Sequence, residues 1–70
     1  MNKPSVGDKV MCQYYNTPEK KFYGELWEAE VIGIEGNDVQ GGKDFLVKKT
    51  ENDYTLFVAR KEIKKVVEQQ

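Results

Sequence analysis

The residues that most often perform catalysis or bind metals are scarce in this sequence. It contains one cysteine, Cys12, and no histidine. An internal disulfide is therefore excluded, as are most transition-metal sites, which need several Cys or His ligands. The commonest general base is missing as well. The sequence predicts no metal site and no cofactor, and it predicts that Cys12 is a small buried apolar residue with an unreactive thiol.

Carboxylates and hydroxyls remain as candidates for chemistry. Glu25, Glu28 and Glu30 are close in sequence, but acid–base catalysis needs two carboxylates facing each other in a cleft that raises the pKa of one of them. A chain of 70 residues has little material for such a cleft. Its hydroxyl side chains have no histidine to activate them. We expect these glutamates to be exposed charges on a strand, and the protein not to be an enzyme.

Aromatic residues are numerous for so small a chain, with one tryptophan, four tyrosines and three phenylalanines. A small core cannot hide all of them, and the anchors of protein interfaces are typically Tyr, Trp and Arg. The first functional hypothesis is a module that binds a protein or peptide partner through an exposed apolar patch, with residues 16–23 as its rim. The candidate binding residues are Tyr14, Tyr15, Trp27 and Tyr54.

The basic residues support a second hypothesis, nucleic-acid binding, in which Phe57 adds a stacking face. The candidate surface is Lys48, Lys49, Arg60, Lys61, Lys64 and Lys65. Basic and acidic residues nearly balance, giving a net charge of −1, so the chain has no overall field that attracts nucleic acid or an anionic membrane. The simpler interpretation of these lysines is a solvated face. A third hypothesis is an accessory subunit of a larger complex, and the oligomeric state is open.

The longest strand-like segment, residues 24–35, organises the predicted fold. Trp27, Ala29 and Val31 lie on one parity, and Ile32 and Ile34 lie on the other. A straight strand would therefore bury one set and expose the second. A bulge near Val31 lets one strand serve two faces, and Gly33 gives the backbone room to turn. This pattern predicts a small all-β fold in which one long strand curves around the core.

The preceding segment predicts the first strand and a loop. Alternation over residues 9–15 indicates a strand. This alternation predicts that three side chains face inward: Val10, Cys12 and Tyr14. Residues 16–21 read as a loop, because a proline and several charges interrupt the pattern. Of the adjacent aromatics Phe22 and Tyr23, we expect one to be buried and one exposed; the alternative is that they are part of a binding rim.

The second half of the chain predicts three more strands. The elements are a hairpin connection at residues 36–42, a strand at 43–50, a turn at 51–53, a strand at 54–59, a helical turn at 60–63 and a strand at 64–67. The inward side chains are Phe45, Val47, Tyr54, Leu56 and Val58, with Phe57 partly exposed. These elements describe a five-stranded SH3-like barrel over residues 6–67, after a disordered lead-in at 1–5 and before a polar tail at 68–70.

Several short motifs make the chain similar to the Tudor-type SH3-like barrels. The family opens with Gly-Asp-x-Val, as at residues 7–10, and continues with an aromatic-x-Ala-x-Val-Ile-x-Ile strand, as at residues 27–34. Its third strand reads aromatic-x-Val, as residues 45–47 do. A tyrosine begins its fourth strand, as Tyr54 does, and a Glu-Ile turn follows, as at residues 62–63. The resemblance spans the whole predicted domain and implies a barrel with a short helical turn before the last strand.

The resemblance also implies a function, because many Tudor-type domains hold a methylated lysine or arginine in an aromatic cage. A desolvated cation over π faces gains roughly 0.5–2 kcal/mol per good contact. The positions that match the cage are Tyr14, Trp27 and Tyr54. Where the family adds an aromatic residue two positions after Val47, this chain has Lys49, and a cation there repels a cationic ligand. The alternative is that Trp27 packs as a half-buried aromatic of the barrel.

The hydropathy of the sequence predicts where in the cell the protein is located. The longest apolar runs are a few residues, far short of the roughly 20 needed to span a bilayer. Residues 1–4 do not resemble the start of a signal peptide. We therefore expect an intracellular protein, cytoplasmic or, in a eukaryote, nuclear, with no membrane partner.

Overall fold

Runs of alternating apolar residues form five antiparallel strands, as the sequence predicts. The structure, a computed structural model, describes residues 4–35 and 43–69. The strands are β1 (Lys9–Asn16), β2 (Lys21–Ile34), β3 (Phe45–Lys49), β4 (Thr55–Val58) and β5 (Ile63–Glu68), and a 3-10 turn (Arg60–Glu62) precedes β5. The all-β fold and the helical turn before the last strand are confirmed. The predicted hairpin connection at residues 36–42 lies outside the described residues.

The five strands make one sheet in the order β4-β3-β2-β1-β5. β4 and β5 are its edges, and within the described ranges no pairing joins them, so the sheet is not closed and the predicted barrel is not confirmed. Apolar residues from every strand nevertheless meet on one face. This buried core consists of Val10, Cys12, Ala29, Val31, Phe45, Val47, Val58 and Ile63. Because both edge strands contribute to the same core, the sheet curves strongly around it.

A bulge in β2 produces the change of face that the sequence predicts near Val31. Val31 pairs with Val47 and Ile34 pairs with Phe45, so three steps along β2 match two steps along β3. The extra residue is Ile32, which stays exposed. Paired residues of neighbouring strands face the same side, so Val31 and Ile34 both face the side that carries the core.

A tight turn at the start of the described chain attaches it to this bulge. Pro4 is fully buried. The Gly7 amide donates a hydrogen bond to the carbonyl oxygen of Val31 at 2.8 Å, and the Val31 amide donates one to the carbonyl oxygen of Asp8 at 2.9 Å. Gly7 has a φ of 98°, which only glycine adopts without strain. The folded domain therefore begins two residues before the predicted boundary, and the rest of the predicted lead-in, residues 1–3, lies outside the described residues.

A second irregularity, which the sequence analysis did not predict, lies between β1 and β2. Cys12 pairs with Trp27, but the next pair along the ladder is Tyr14 with Tyr23, so three residues of β2 lie opposite one of β1. The side-chain amide of that one residue, a glutamine, donates a hydrogen bond to the carbonyl oxygen of Gly24 at 2.8 Å. Gly24 has a φ of 79°. The ladder on either side of this bulge is regular, so the bulge divides the hairpin into an inner and an outer part.

The turn of the hairpin is tighter than the predicted loop at residues 16–21. β1 continues to Asn16, which pairs with Lys21 at the start of β2. The Asn16 side-chain oxygen accepts a hydrogen bond from the Glu19 amide at 3.0 Å. Asn is favoured in turns because its side chain satisfies backbone donors in this way. Both strands are therefore longer than predicted, and the aromatic residues at positions 22 and 23 belong to β2.

The buried carboxylate of Glu62 joins the 3-10 turn to β1. One of its oxygens accepts a hydrogen bond from the Ala59 amide at 2.8 Å, and the other accepts one from the Tyr15 amide at 3.0 Å. The Lys43 ammonium lies 3.7 Å from the first oxygen. Hydrogen bonds and an opposite charge are what a buried carboxylate requires. Glu62 thus fixes the distance between β1 at Tyr15 and the basic residues around the turn.

Candidate binding surface

The outer part of the β1–β2 hairpin extends beyond the core. β5 reaches along β1 as far as Cys12, which pairs with Ile63, and β3 reaches along β2 as far as Ala29, which pairs with Lys49. Residues 14–23, which we call the hairpin tip, therefore have no flanking strand among the described residues. Their side chains contact one another and lysines of the 3-10 turn and of the start of β5.

Two cross-strand pairs of aromatic residues occupy the hairpin tip: Tyr14 with Tyr23, and Tyr15 with Phe22. Tyr14 is 50% exposed, Tyr23 43% and Phe22 36%. The prediction that Tyr14 points into the core is therefore wrong, and so is the prediction that one of Phe22 and Tyr23 is buried. Tyr14 has the parity of the core residues of β1, but the strands that would cover it have already ended.

One side of the tip combines aromatic rings with lysines. The Tyr15 and Phe22 rings meet at a centroid distance of 4.8 Å and an interplanar angle of 63°, an edge-to-face geometry that aromatic quadrupoles favour. The Lys61 ammonium lies 4.4 Å from the centre of the Tyr15 ring, and the Lys64 ammonium lies 3.5 Å from the centre of the Phe22 ring. Both distances permit cation–π attraction. We call these four residues the aromatic–lysine cluster.

Four elements position the aromatic–lysine cluster: β1, β2, the 3-10 turn and β5. Glu62 holds Tyr15 through its amide, Phe22 lies opposite Tyr15 on β2, and Lys61 and Lys64 come from the 3-10 turn and the start of β5. The sequence analysis assigned Tyr15 to an aromatic surface and the lysines to a separate basic one, and it included Phe22 only within the rim of the first surface. Only the register of β1 with β2 shows that Phe22 meets Tyr15. The predicted second strand begins at residue 24, so the sequence analysis did not include this pair.

The other side of the tip is centred on Tyr14 and Tyr23, because adjacent residues of a strand face opposite sides. The Tyr23 hydroxyl donates a hydrogen bond to the Glu19 carboxylate, and this bond raises the pKa of Tyr23 above its ordinary value. Leu26, in the bulge next to the tip, is a further exposed apolar residue. The tip therefore presents tyrosines on one side and the aromatic–lysine cluster on the other.

Trp27 belongs to the inner part of the hairpin. It pairs with Cys12 and packs, partly buried, against the core, which agrees with the alternative that the sequence left open. The Lys49 ammonium lies 4.8 Å from the centre of its ring. A hollow of about 270 Å3 at this point is lined by Leu26, Trp27, Glu28, Lys49, Thr50 and Glu51. A face of the indole ring that a methylated ligand would need is therefore covered by the chain's own cation.

Tyr54 lies just before β4 and is 60% exposed, so the prediction that it faces the core is wrong. Its carbonyl oxygen accepts a hydrogen bond from the Lys49 amide at 2.8 Å, which places it at the β3–β4 turn. In the part of the chain that the structure describes, no ring–ring contact joins Tyr54 to Tyr14 or Trp27. The rings that match the family's cage are thus not stacked against one another in the described residues.

The six basic residues of the nucleic-acid hypothesis fall into two groups. Lys48 and Lys49 are on β3, and the other four are on the 3-10 turn and β5. β2 and β1 lie between β3 and β5 in the sheet. Lys61 and Lys64 join the aromatic–lysine cluster, whereas Lys49 covers Trp27. The structure thus brings two of the six basic residues together with aromatic rings at the hairpin tip.

Cys12 is fully buried in the core, as predicted. Burial, with a smaller contribution from the Glu62 carboxylate, raises the pKa of its thiol to about 12, so the thiol is protonated at neutral pH. Within residues 4–35 and 43–69, no three or more Cys, Asp or Glu side chains are arranged to hold a metal ion. The same two ranges contain no helix with the length and apolar character needed to cross a bilayer.

Comparison with known proteins gives no family assignment. No protein-family model matches the chain, and no curated protein and no solved structure is significantly similar to it. A function must therefore be inferred from the residues of the chain itself.

Proposed function

We propose that this chain is a non-catalytic binding module with an SH3-like, Tudor-like barrel fold, and that its hairpin tip binds a protein or peptide partner. The strand order, the 3-10 turn before β5 and a core shared by all five strands support the type of fold. One observation carries the function: four aromatic residues occupy two adjacent cross-strand pairs beyond the core. They are Tyr14, Tyr15, Phe22 and Tyr23.

The tip has the properties of a binding surface that forms before its partner arrives. Burying apolar surface gains roughly 25 cal/mol per Å2, and aromatic residues are enriched at the centres of interfaces. The rings lie on paired strands, and the turn between them is closed by the hydrogen bond from Glu19 to Asn16. Little backbone has to be ordered on binding, which leaves more of the gain from burial for affinity.

Trp27 and Tyr54 form a separate region in this proposal. Lys49 lies over the Trp27 ring in the arrangement that a methylated lysine has in an aromatic cage. Because the chain supplies this cation itself, a cationic ligand would first have to displace it. We therefore do not assign recognition of methylated residues to this region.

Nucleic-acid binding is the second candidate function, and one observation favours it. Lys61 and Lys64 lie beside aromatic rings, and proteins that bind single strands combine cations with stacking faces. The net charge of −1 gives it less support than the peptide hypothesis, because phosphate binding depends on strong positive charge. A role as an accessory subunit is compatible with both and would use the same surface.

A selection from a displayed random peptide library tests the proposal. Peptides that bind the purified chain are titrated into ¹⁵N-labelled protein, and the amide shifts identify the surface that they contact. We expect the shifts at residues 14–23, and we expect binding to be lost in a variant that combines Tyr14→Ser with Tyr23→Ser. Tyr54→Ser is the matched control, because Tyr54 is at least as exposed but lies outside the tip.

Two results would contradict the proposal. One is a library that yields no binding peptide, and the other is a set of peptides that bind the double variant as tightly as the wild type. Urea unfolding of both variants, followed by Trp27 fluorescence, separates a loss of binding from a loss of fold. Since both substitutions replace exposed side chains, we expect the unfolding curves to remain close to that of the wild type.

A further inference from the structure

We infer that the segment bound by the hairpin tip is acidic, and that its carboxylates meet Lys61 and Lys64 where these lysines lie over the Tyr15 and Phe22 rings. This inference rests on the proposed binding function of the tip and adds the chemistry of its partner. The composition of the chain does not suggest it, since the net charge is −1. The local arrangement of charge on one side of the tip does.

Basic residues are concentrated next to the aromatic–lysine cluster. Four of the six residues 60–65 are Lys or Arg, and the acidic one is Glu62. The Glu62 carboxylate is buried, accepts hydrogen bonds from two backbone amides and pairs with Lys43. Among the described residues, neither Lys61 nor Lys64 forms an ion pair. The charges of Lys61 and Lys64 are therefore not neutralised by a carboxylate of the described chain.

The aromatic rings hold the two lysines ready for an anionic partner. A lysine loses rotamer freedom when an ion pair fixes it, and the loss is smaller where a ring already holds the ammonium, as at 3.5 Å for Lys64 and 4.4 Å for Lys61. An ammonium has three N–H donors, and the ring covers one side of it. Both side chains are exposed, so a partner carboxylate can reach the donors on the solvent side.

The same geometry favours a carboxylate over a nucleic-acid base. Stacking requires a free ring face, and a lysine ammonium lies over a face of each ring in the cluster. A base would have to displace that lysine, whereas a carboxylate adds to the ammonium and leaves the cation–π contact intact. Apolar residues next to the partner's carboxylates would pack on the exposed part of Phe22. An acidic peptide with interspersed apolar residues therefore fits both features of the surface.

The test measures fluorescence anisotropy with the full chain and three probes. They are a short labelled peptide that alternates glutamate with leucine, the same peptide with glutamine in place of glutamate, and a single-stranded oligothymidylate. We expect the glutamate peptide to bind, and the glutamine peptide to bind about tenfold more weakly. Raising the salt concentration should weaken the binding of the glutamate peptide, because exposed charges are screened.

The decisive variant combines Lys61→Gln with Lys64→Gln. We expect its affinity for the glutamate peptide to fall about tenfold, to the level of the glutamine peptide. The matched control combines Lys9→Gln with Lys48→Gln, which removes the same charge from β1 and β3. Since long-range attraction between exposed charges is screened, the control should lose less than about threefold.

Four outcomes would overturn the inference. Equal losses in the two double variants would mean unspecific charge attraction. Equal binding of the two peptides at the tip would show that the partner does not need to be acidic, whereas the proposal of a binding module would stand. Stronger binding of oligothymidylate that depends on Lys61 and Lys64 would assign the surface to nucleic acid. Failure of both peptides to bind would exclude the acidic segment, and the library selection decides separately whether the tip binds peptides.

Discussion

The inner and outer parts of the β1–β2 hairpin differ in what covers them. In the inner part Val10 pairs with Ala29 and Cys12 pairs with Trp27. β5 flanks both pairs, and β3 reaches as far as Ala29. Val10, Cys12 and Ala29 are fully buried. In the outer part, the hairpin tip, large aromatic residues of the same two strands are exposed. How far the neighbouring strands extend therefore determines burial here, and residue type does not.

Cation–π contacts occur in both parts, but with different consequences. Lys49 pairs with the buried Ala29 and is itself half-buried, and its ammonium covers the Trp27 ring. Lys61 and Lys64 are exposed, and their ammonium groups lie over rings that the sheet does not cover. The same type of contact thus closes a possible site in the inner part and leaves cations accessible in the outer part.

The largest expected effect comes from replacing a core phenylalanine with alanine. The same replacement on the tip should have a much smaller effect. Phe45→Ala removes a ring that is 3% exposed, and such truncations cost about 3–5 kcal/mol through lost burial and the remaining cavity. That loss is comparable to the whole stability of a domain of this size, so we expect the variant to be largely unfolded. Phe22→Ala removes the edge-to-face contact with Tyr15, and we expect it to cost about 1 kcal/mol.

Urea unfolding followed by Trp27 fluorescence measures both variants. Phe22→Ala should keep the wild-type fold while losing peptide binding at the tip. A destabilisation by Phe22→Ala as large as that by Phe45→Ala would show that the tip contributes to the core, and the division of the hairpin into a structural and a functional part would then be wrong.

The next largest effect is expected at Glu62, the residue that joins the 3-10 turn to the outer part of the hairpin. Both oxygens of Glu62 accept backbone hydrogen bonds, from Tyr15 and from Ala59. Glu62→Gln places an amide donor where one of these oxygens was, so a buried amide loses its partner at a cost of about 1–3 kcal/mol. Glu28→Gln is the matched control, because Glu28 is exposed on β2 and its replacement should change the free energy of unfolding by less than about 0.5 kcal/mol.

Structural and functional effects of Glu62→Gln can be separated by nuclear magnetic resonance. We expect amide shifts at Tyr15 and Ala59 and weaker peptide binding, because the 3-10 turn that carries Lys61 is no longer held against β1. Equal unfolding curves for Glu62→Gln and Glu28→Gln would mean that the buried carboxylate does not connect these elements.

The sequence predicts the strands well because their apolar residues alternate and their turns contain Gly, Asn and Asp. The bulge between Val31 and Gly33 follows from a change of parity that one straight strand cannot accommodate. Burial of Cys12 follows from its place in the first alternating segment. These features depend on local pattern, and the structure confirms each of them.

The candidate site depends on the register of the strands, and the sequence contains less information about register than about the positions of the strands. Alternation gives Tyr14 the parity of the core, but it does not tell where the neighbouring strands end. The bulge next to Gly24 and the tight turn at Asn16 set the pairing of Tyr15 with Phe22. Neither produces a strong local pattern. The sequence shows that Lys49 replaces an aromatic residue of the family. Its contact with Trp27 could not be predicted, because that contact depends on the pairing of β2 with β3.

A smaller effect is expected from replacing the glycine of the bulge at which the outer part of the hairpin begins. A Cβ at Gly24 would meet no heavy atom within 4 Å, but the φ of this residue is 79°. We therefore expect Gly24→Ala to cost about 1–2 kcal/mol through backbone strain alone. Gly33→Ala is the matched control: its Cβ would lie 3.6 Å from the Leu46 Cβ, an ordinary contact. Urea unfolding compares the two, and a larger loss for Gly33→Ala would show that the backbone at Gly24 does not require glycine.

The smallest effect concerns the hydrogen bond between the Tyr23 hydroxyl and the Glu19 carboxylate at the end of the tip. The phenol donates only while it is protonated, so the bond raises the pKa of Tyr23 above 10.0. Its contribution to the order of the tip is present below that pH and is lost as the pH rises through the raised pKa. We expect Glu19→Gln to lower the pKa of Tyr23 towards its ordinary value, measured from the ring ¹³C shifts, and Glu25→Gln to leave it unchanged. Because this bond is exposed, neither substitution should alter global unfolding. An unchanged pKa in Glu19→Gln would mean that no such bond orders the end of the tip, and that the partner has to order it on binding.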